Sequence, residues 1–260
     1  AHVAVEPGAA PALQLTWVRP ADERMDAEAL RREGLVERLG FAVVNRRLST
    51  LARGEAPPFL GAAAFVNDEF GAAETTSFIA NAQVGRWREA LQAMEAEARR
   101  AVQFGVRQDE LDREITEARA RLQAEVAGAA TRRPSALAQQ ILSATAEDQV
   151  VTSPAQDLTL FEDTVRELTA AQVSRALKAA IDGQGPLIFL ATPTPVEGGE
   201  AEVIAAYEAA KATPVTEPQA LSTLEWPYSD FGTPGRVAET QDVADLDTVF
   251  VRFENGVRLT

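Results

Sequence analysis

The chain has 260 residues, of which 46% are hydrophobic, so it is long enough to bury roughly three quarters of the surface that its unfolded form exposes. Its 25 Lys+Arg and 39 Asp+Glu residues give a formal net charge of −14, which argues against binding to nucleic acid or to anionic lipid. No stretch of about eighteen apolar residues is present, so we predict no membrane span.

The first part of the chain predicts three strands and one long helix. Ala12–Arg19 alternates apolar and polar residues, which is typical of a half-buried strand, and Pro20 ends it. A broad apolar arc predicts a mostly buried helix over Met25–Arg53, with Asp22 as a candidate N-cap. Two further strands are predicted at Phe59–Asn67 and Thr75–Gln83.

Two amphipathic helices follow and dominate the pattern of the chain. Gly105 separates them, as a glycine just past a helix often does. Asp109 and Glu110 then lie where a helix N-terminus favours negative charge. The apolar stripe of the first helix is Trp87, Leu91, Met94, Ala98 and Ala101, and that of the second is Leu111, Ile115, Ala118, Leu122 and Val126. A strand followed by such helices predicts an α+β fold, with helices packed on one face of a sheet.

Short helices alternate with breaks in the next part of the chain. The nearly all-apolar run Leu187–Ala191 predicts a central strand, buried on both faces. The predicted helices are Ser135–Thr145, Pro154–Arg166, Thr169–Ile181 and Glu200–Lys211. Ser135 or Thr131 is the candidate N-cap of the first, and Leu168-Thr169 starts the third.

The C-terminal part has the proline content of a linker. Three aromatic residues in it are too apolar for a free linker, and we predict that they pin the segment onto a surface: Trp226, Tyr228 and Phe231. In Thr248–Thr260, alternating residues around Asn255-Gly256 predict a hairpin with a type I′ turn, whose second strand the chain end cuts off.

The chain carries few groups suited to catalysis. It has no cysteine, and its one histidine is His2, whereas a catalytic zinc site normally takes two histidines and a third ligand. Carboxylate pairs such as Asp109/Glu110 and Glu95/Glu97 could serve in acid–base chemistry, but on amphipathic helices we interpret them as charges that face solvent. We therefore predict no catalytic residue and no metal site in this chain, and its substrate-binding residues stay unknown.

The N-terminus AHVAVEPGAA lacks the basic start and apolar core of a signal peptide, and it does not begin with Met. We expect a piece of a longer protein or a processed product.

The order of these elements resembles the pitrilysin/insulinase family of zinc metallopeptidases, in particular its non-catalytic second domain. The resemblance covers nearly the whole chain. It rests on motifs that follow one another in the family's order: Asn45-Arg46-Arg47-Leu48, Gly105-Val106, Asp109-Glu110-Leu111, Trp226-Pro227-Tyr228 to Gly235, and Phe253-Glu254-Asn255-Gly256-Val257-Arg258-Leu259.

The resemblance implies an α+β domain of the metallohydrolase-like type, with a mainly antiparallel sheet and helices on one face. It implies a non-catalytic domain over residues 1–212, an inter-domain linker over 213–246, and the start of a following domain over 247–260. The family's zinc motif, His-x-x-Glu-His, belongs to its first domain and is absent here. Zinc is therefore expected only in the longer protein, as is a second half that closes with the first around unfolded peptides.

The resemblance also implies a scaffold domain that walls part of the peptide chamber, is inert alone, and belongs in the periplasm or cell envelope. Its expected partners are the missing catalytic domain, the second half of the same protein and a peptide substrate, and the fragment could form a homodimer. One alternative is a structural or binding subunit that has lost the metal site. Another is an independent enzyme that uses carboxylates such as Glu110 and Glu114.

Overall fold

The computed structural model describes residues 1–218 and 232–260. Contacts divide the chain into two units, Ala1–Pro218 and Gln219–Thr260. The first unit combines seven α-helices with a five-stranded sheet, and the described part of the second contains a three-stranded sheet. The structure is thus mixed α/β.

The elements of the first unit fall close to the predicted ones. Its strands are β1 (His2–Val5), β2 (Ala12–Pro20), β3 (Gly61–Asp68), β4 (Ala73–Asn81) and β5 (Gln184–Thr192). Its helices are α1 (Glu28–Ala52), α2 (Trp87–Phe104), α3 (Gln108–Ala127), α4 (Pro134–Ala146), α5 (Pro154–Val165), α6 (Ala170–Ile181) and α7 (Gly199–Ala212).

The strand order in the five-stranded sheet is β1-β5-β2-β4-β3. Three pairings are antiparallel, and β1 pairs with β5 in parallel. The prediction of a mainly antiparallel sheet is thus confirmed in part. The sequence analysis missed β1 because four residues are too few to show a period.

Strand β5 lies between β1 and β2, but it is not buried on both faces as predicted. Ile188 and Leu190 are buried, whereas Leu187 and Phe189 are exposed. The physical reason is that helices cover one face of the sheet, so that every second residue of this apolar run meets solvent.

The helix caps were predicted with mixed success. Thr169 caps α6 as expected, because its hydroxyl accepts a hydrogen bond from the Gln172 N–H. Asp22 does not cap α1, which starts at Glu28, because its carboxylate binds the backbone N–H and guanidinium of Arg24 instead. The N-cap of α4 is Arg133, without a side-chain hydrogen bond, so the candidates Ser135 and Thr131 were wrong.

The core lies between the sheet and the helices α1, α2 and α6. The inward side chains of the sheet are buried against these helices, and the largest of them are Leu13, Leu15, Phe78, Ile188 and Leu190. Polar contacts fix the helices on the sheet: the Asn45 amide of α1 donates to the Ala64 carbonyl at 2.9 Å and accepts from the Ala64 N–H at 2.7 Å. Helices α3 and α5 pack on the outer side of α1.

Gly105 forms the junction between α2 and α3. Its φ of 69° and ψ of −146° lie near a region that is essentially restricted to glycine. A Cβ atom at this position would lie 2.2 Å from Ser174 Oγ of α6. That hydroxyl accepts a hydrogen bond from the Val106 N–H at 3.0 Å, so the junction is held directly against α6.

In the second unit, β6 (Val237–Val243), β7 (Thr248–Phe253) and β8 (Arg258–Leu259) form an antiparallel sheet. Strand β6 lies inside the range 213–246 that was predicted as a linker, and the division into domains stays a prediction. The aromatic residues Trp226, Tyr228 and Phe231 lie outside the described residues.

The hairpin around Asn255-Gly256 is confirmed, but its turn is not type I′. The Gly256 N–H donates to the Phe253 carbonyl at 2.9 Å, and only Gly256 of the dipeptide has a positive φ, 85°. This pattern is a type I turn followed by a glycine bulge, which also reverses an antiparallel strand.

Across the described ranges, every helix is either too short or too polar to cross a bilayer.

We expect Gly105→Ala to lower the free energy of unfolding by about 2 to 4 kcal/mol, because it adds backbone strain and a clash with Ser174. Urea unfolding followed by circular dichroism would measure the loss. Gly61→Ala is the matched control, since a Cβ at Gly61 meets nothing within 4 Å. Equal stability of the two variants would contradict this role of Gly105.

Candidate functional site

The carboxylates considered for acid–base chemistry lie in different environments. Asp109 is exposed and Glu110 is half-buried. Glu95, Glu97 and Glu114 are buried, with Glu97 only 1% exposed. The interpretation that Glu95 and Glu97 face solvent was therefore wrong. Glu95 binds Arg99 of its own helix, and Glu97 binds Arg100 of the same helix and Arg47 of α1.

Arg47 of α1 is the centre of an ion-pair network that joins three helices. Its guanidinium binds both carboxylate oxygens of Glu110 on α3, at 2.8 and 2.6 Å. It also donates to Glu97 of α2 at 3.4 Å and to the Gly105 carbonyl at 3.0 Å. A planar, five-donor guanidinium is suited to such a junction because it can bind two acids and a carbonyl at once.

Neighbouring pairs extend this network on both sides. Arg46 binds Glu114 and Glu117 of α3, and Arg100 of α2 binds the second oxygen of Glu97. Both carboxylates of interest on α3, Glu110 and Glu114, are thus engaged by arginines of α1. This arrangement suits them to holding helices together.

Three arginines also hold the chain that leaves α7. Arg99 donates to the carbonyl of Lys211 at 2.8 Å, and Arg100 to that of Thr216 at 3.1 Å. Arg107 donates to the carbonyl of Pro218 at 3.2 Å. The segment up to Pro218 is therefore fixed on α2 and the start of α3 through its backbone, without dependence on its own side chains.

The two central acids of the network, Glu97 and Glu110, have pKa values that are shifted in opposite directions. Burial raises the pKa of Glu97 above its ordinary value, despite the charges of Arg47 and Arg100. Burial also acts to raise the pKa of Glu110, but the hydrogen bonds from Arg47 and from the Arg107 N–H outweigh it and leave this pKa lowered. Glu110 is thus held as a carboxylate, whereas Glu97 is the acid whose charge is costly.

Among the described residues, no group of three or more His, Cys, Asp or Glu side chains is arranged to hold a metal ion. His2 lies at the start of β1, where Nδ1 is 3.1 Å from Glu200 Oε1 and the ring stacks on Phe189.

A cleft of about 660 Å³ lies on the first unit, between the start of α1, the loop before α5 and α5 itself. Arg31 crosses it and binds Asp26, the Val150 carbonyl and the Thr152 hydroxyl. Hydrogen bonds from Arg31 and from the Val150 N–H lower the pKa of Asp26 to about 2. The charged groups Arg31 and Asp26 of the cleft are therefore already bound to each other.

The second candidate surface is the face of the five-stranded sheet that no described helix of the first unit covers, which we call the open face. Four apolar side chains on it are exposed to solvent: Phe65, Ile79, Leu187 and Phe189. Between them, Gln14, Thr16 and Ser77 form a hydrogen-bonded group in which the Thr16 and Ser77 hydroxyls are 2.9 Å apart.

No family model matches the sequence, and neither does any curated protein sequence. Solved structures do resemble the chain. The periplasmic protease PqqL of Escherichia coli superimposes with a TM-score of 0.74 and 16% identity, over 99% of this chain and 29% of that one. A predicted insulinase family protease from Yersinia pestis gives a TM-score of 0.64 and 18% identity, over 81% of this chain and 45% of that one.

A third neighbour is the peptidase M16 inactive domain from Pseudomonas fluorescens, with a TM-score of 0.55 and 15% identity, over 74% of this chain and 43% of that one. The chain has the fold of pitrilysin/insulinase-type peptidases. The chain spans about 29% of the length of the E. coli protease and less than half of the other two.

The sequence analysis missed both parts of the site. In the arginine–glutamate network, the two arginines of α1 bind acids that are 50 to 71 positions away, so no local period reveals these pairs. The open face had one available signal: the outward positions of β2, β4 and β3 are uncharged, in a chain with 25% charged residues. We treated that pattern only as evidence for strands.

We expect Arg47→Met to lower the free energy of unfolding by about 3 to 5 kcal/mol, because it removes the guanidinium partner of the half-buried Glu110 and one of the two arginine partners of the buried Glu97. Thermal and urea unfolding would measure the change. Arg166→Met is the matched control, since Arg166 forms an exposed pair with Asp163 that should contribute little. A similar loss in both variants would rule out a special role for Arg47.

The raised pKa of Glu97 predicts a pH dependence that Glu97→Gln should remove. The folded chain holds this proton more tightly than the unfolded chain does. The unfolding free energy of the natural chain, relative to the variant, should therefore be highest below the ordinary value of 4.5 and fall as pH rises through the folded-state pKa. Urea titrations of both proteins across this range test it, and a difference that grows with pH would contradict it.

Proposed function

We propose that this chain is a non-catalytic domain of a pitrilysin/insulinase-type zinc metallopeptidase. The observation that carries the proposal is the superposition of 99% of the chain on less than a third of a periplasmic protease. The single histidine of the sequence supports a non-catalytic role, because His-x-x-Glu-His requires two. The inactive domain of the P. fluorescens structure is a further parallel.

In this proposal, zinc and the general base reside in another part of the longer protein. That part and a second half of the same protein are the partners of this chain, and a peptide is the substrate. A periplasmic or cell-envelope location is proposed by analogy with the E. coli neighbour. The division into residues 1–212, 213–246 and 247–260 belongs to the same proposal.

The open face is the proposed contribution of the domain to the peptide chamber. It is the side of the sheet without helices, and it combines exposed apolar side chains with hydroxyl and amide groups. A wall of this kind can contact both the side chains and the backbone of an unfolded peptide. The arginine–glutamate network stabilises the helices behind this wall.

An alternative is a structural or binding subunit of a homologue that has lost the metal site. The two functions differ outside this chain. Sequencing the reading frame on both sides separates them: a flanking domain with His-x-x-Glu-His supports the peptidase, and flanks without this motif support the alternative.

The purified chain should not cleave a fluorescence-quenched unfolded peptide, with or without added zinc, because it lacks the ligands for a catalytic metal. The protein is separated by gel filtration, and each fraction is assayed for the fluorescence that cleavage of the peptide releases. Turnover that follows the protein peak and persists in the presence of a zinc chelator would refute a non-catalytic domain. A control with a known zinc peptidase verifies that the chelator works.

A further inference from the structure

The outward side chains of the sheet form two rows that cross the strands. Strand register aligns Ala63, Ile79, Gln14 and Phe189 in one row, and Phe65, Ser77, Thr16 and Leu187 in the next. In each row a polar centre on β2, or on β2 and β4, separates apolar side chains on either side. The open face therefore has two apolar ends and a hydrogen-bonding middle.

Within the described residues, the strand register assigns no Asp, Glu, Lys or Arg to the open face, and charged groups adjoin it only at its edges. This contrasts with the whole chain, which has 39 acidic and 25 basic residues. His2 lies beside Phe189 and binds Glu200, and Glu69 accepts hydrogen bonds from Asn67 and Thr75. The charges that the central strands do carry, Arg19 and Glu74, pair with each other near the ends of β2 and β4. A ligand of matching chemistry is uncharged, because a charged group would lose hydration here without finding a partner.

The spacing of the two ends sets the length of that ligand. Phe65 on β3 and Leu187 on β5 are separated by three strand-to-strand steps, or about 14 Å. An extended peptide advances about 3.4 Å per residue, so about four residues span this distance. Residues i and i+4 of a strand point to the same side, and residue i+2 points there between them.

The size of the face favours a peptide over a second copy of the chain. One strand of four residues and four strands of eight or nine, with a rise of about 3.4 Å per residue and a spacing of about 4.8 Å, give a face of about 600 Å². A stable protein–protein interface takes about 800 Å² from each partner. An exposed patch of this smaller size is typical of a functional site on a monomer.

We propose that the open face binds an extended, uncharged peptide segment with apolar side chains at positions i and i+4. One apolar side chain lies against Phe65 and Ile79, and the other against Leu187 and Phe189. The backbone or a small polar side chain at i+2 meets Gln14 and Thr16, which the buried Ser77 hydroxyl holds in place. This inference deepens the proposed chamber wall, and rests on it, by naming the class of segment that the wall accepts.

Labelled, end-blocked nine-residue peptides of Ser, Thr and Gln test the spacing and the charge. The first has Phe at positions 3 and 7, the second at 3 and 6, and the third has Glu in place of both Phe residues. Fluorescence anisotropy with the full chain should show the first peptide binding at least tenfold more tightly than the others. Equal affinity for the three would overturn the proposal.

Matched variants locate the binding surface. Phe65→Ser and Leu187→Ser should each weaken binding of the first peptide at least fivefold. Phe104→Ser and Leu142→Ser are the controls, because Phe104 is 41% exposed against 40% for Phe65, and Leu142 is 64% exposed against 63% for Leu187. The controls should bind as the natural chain does, with circular dichroism showing that all four variants are folded. Equal weakening by the controls would overturn the proposal.

Analytical ultracentrifugation tests whether a second copy of the chain, in place of a peptide, covers the open face. A dimer that Phe65→Ser converts to a monomer would mean that the open face is covered by another copy, and would overturn peptide binding there. The outcome is separate from the test of the proposed function. A flanking His-x-x-Glu-His motif without peptide binding leaves the peptidase assignment intact, and binding without that motif leaves this inference intact.

Discussion

Arg47 joins three helices through one guanidinium group, and the layer behind the sheet depends on that junction. Its partners are an acid on α2, an acid on α3 and the carbonyl of the glycine between these helices. Because a buried carboxylate is stable only when it is paired, the network specifies how α1 lies against the other two helices. In any other packing of the helices, the two acids and the carbonyl would lose this partner at a cost in free energy. The network therefore favours one arrangement of the helices and also stabilises it.

The two faces of the sheet serve different purposes. The inner face supplies the apolar area that holds the first unit together, through residues such as Leu13, Leu15 and Phe78. The open face contributes less to stability and is available for contact with other molecules. The division needs no special motif, since alternating side chains of the same strands provide both surfaces. The function that we propose for this chain is thus a property of a surface, in contrast to a site built around one reactive residue.

Local sequence patterns predicted much of the fold, whereas contacts between residues distant in sequence could not be predicted. Alternation and helical periodicity found β2 to β5 and the helices, and the local cap at Thr169 was predicted because its partner is three residues away. The cap at Asp22 failed because Arg24 competes for the carboxylate. The burial of Glu97 could not be predicted, because its covering arginine Arg47 comes from another helix. The exposure of Leu187 could not be predicted either, because it depends on which face of the sheet the helices cover. The sequence of a strand does not specify that face.

The position of β5 has a consequence for synthesis of the chain. It lies between β1 and β2, although about 180 residues separate it from β1 and about 160 from β2 in sequence. During translation, the facing edges of β1 and β2 therefore stay unpaired until residues 184–192 leave the ribosome. Unpaired edges of this kind are prone to mispair with other chains, and such distant pairing is slow. The sheet of the nascent chain thus stays open until β5 has been synthesised, and this is the stage at which a chaperone would protect it most.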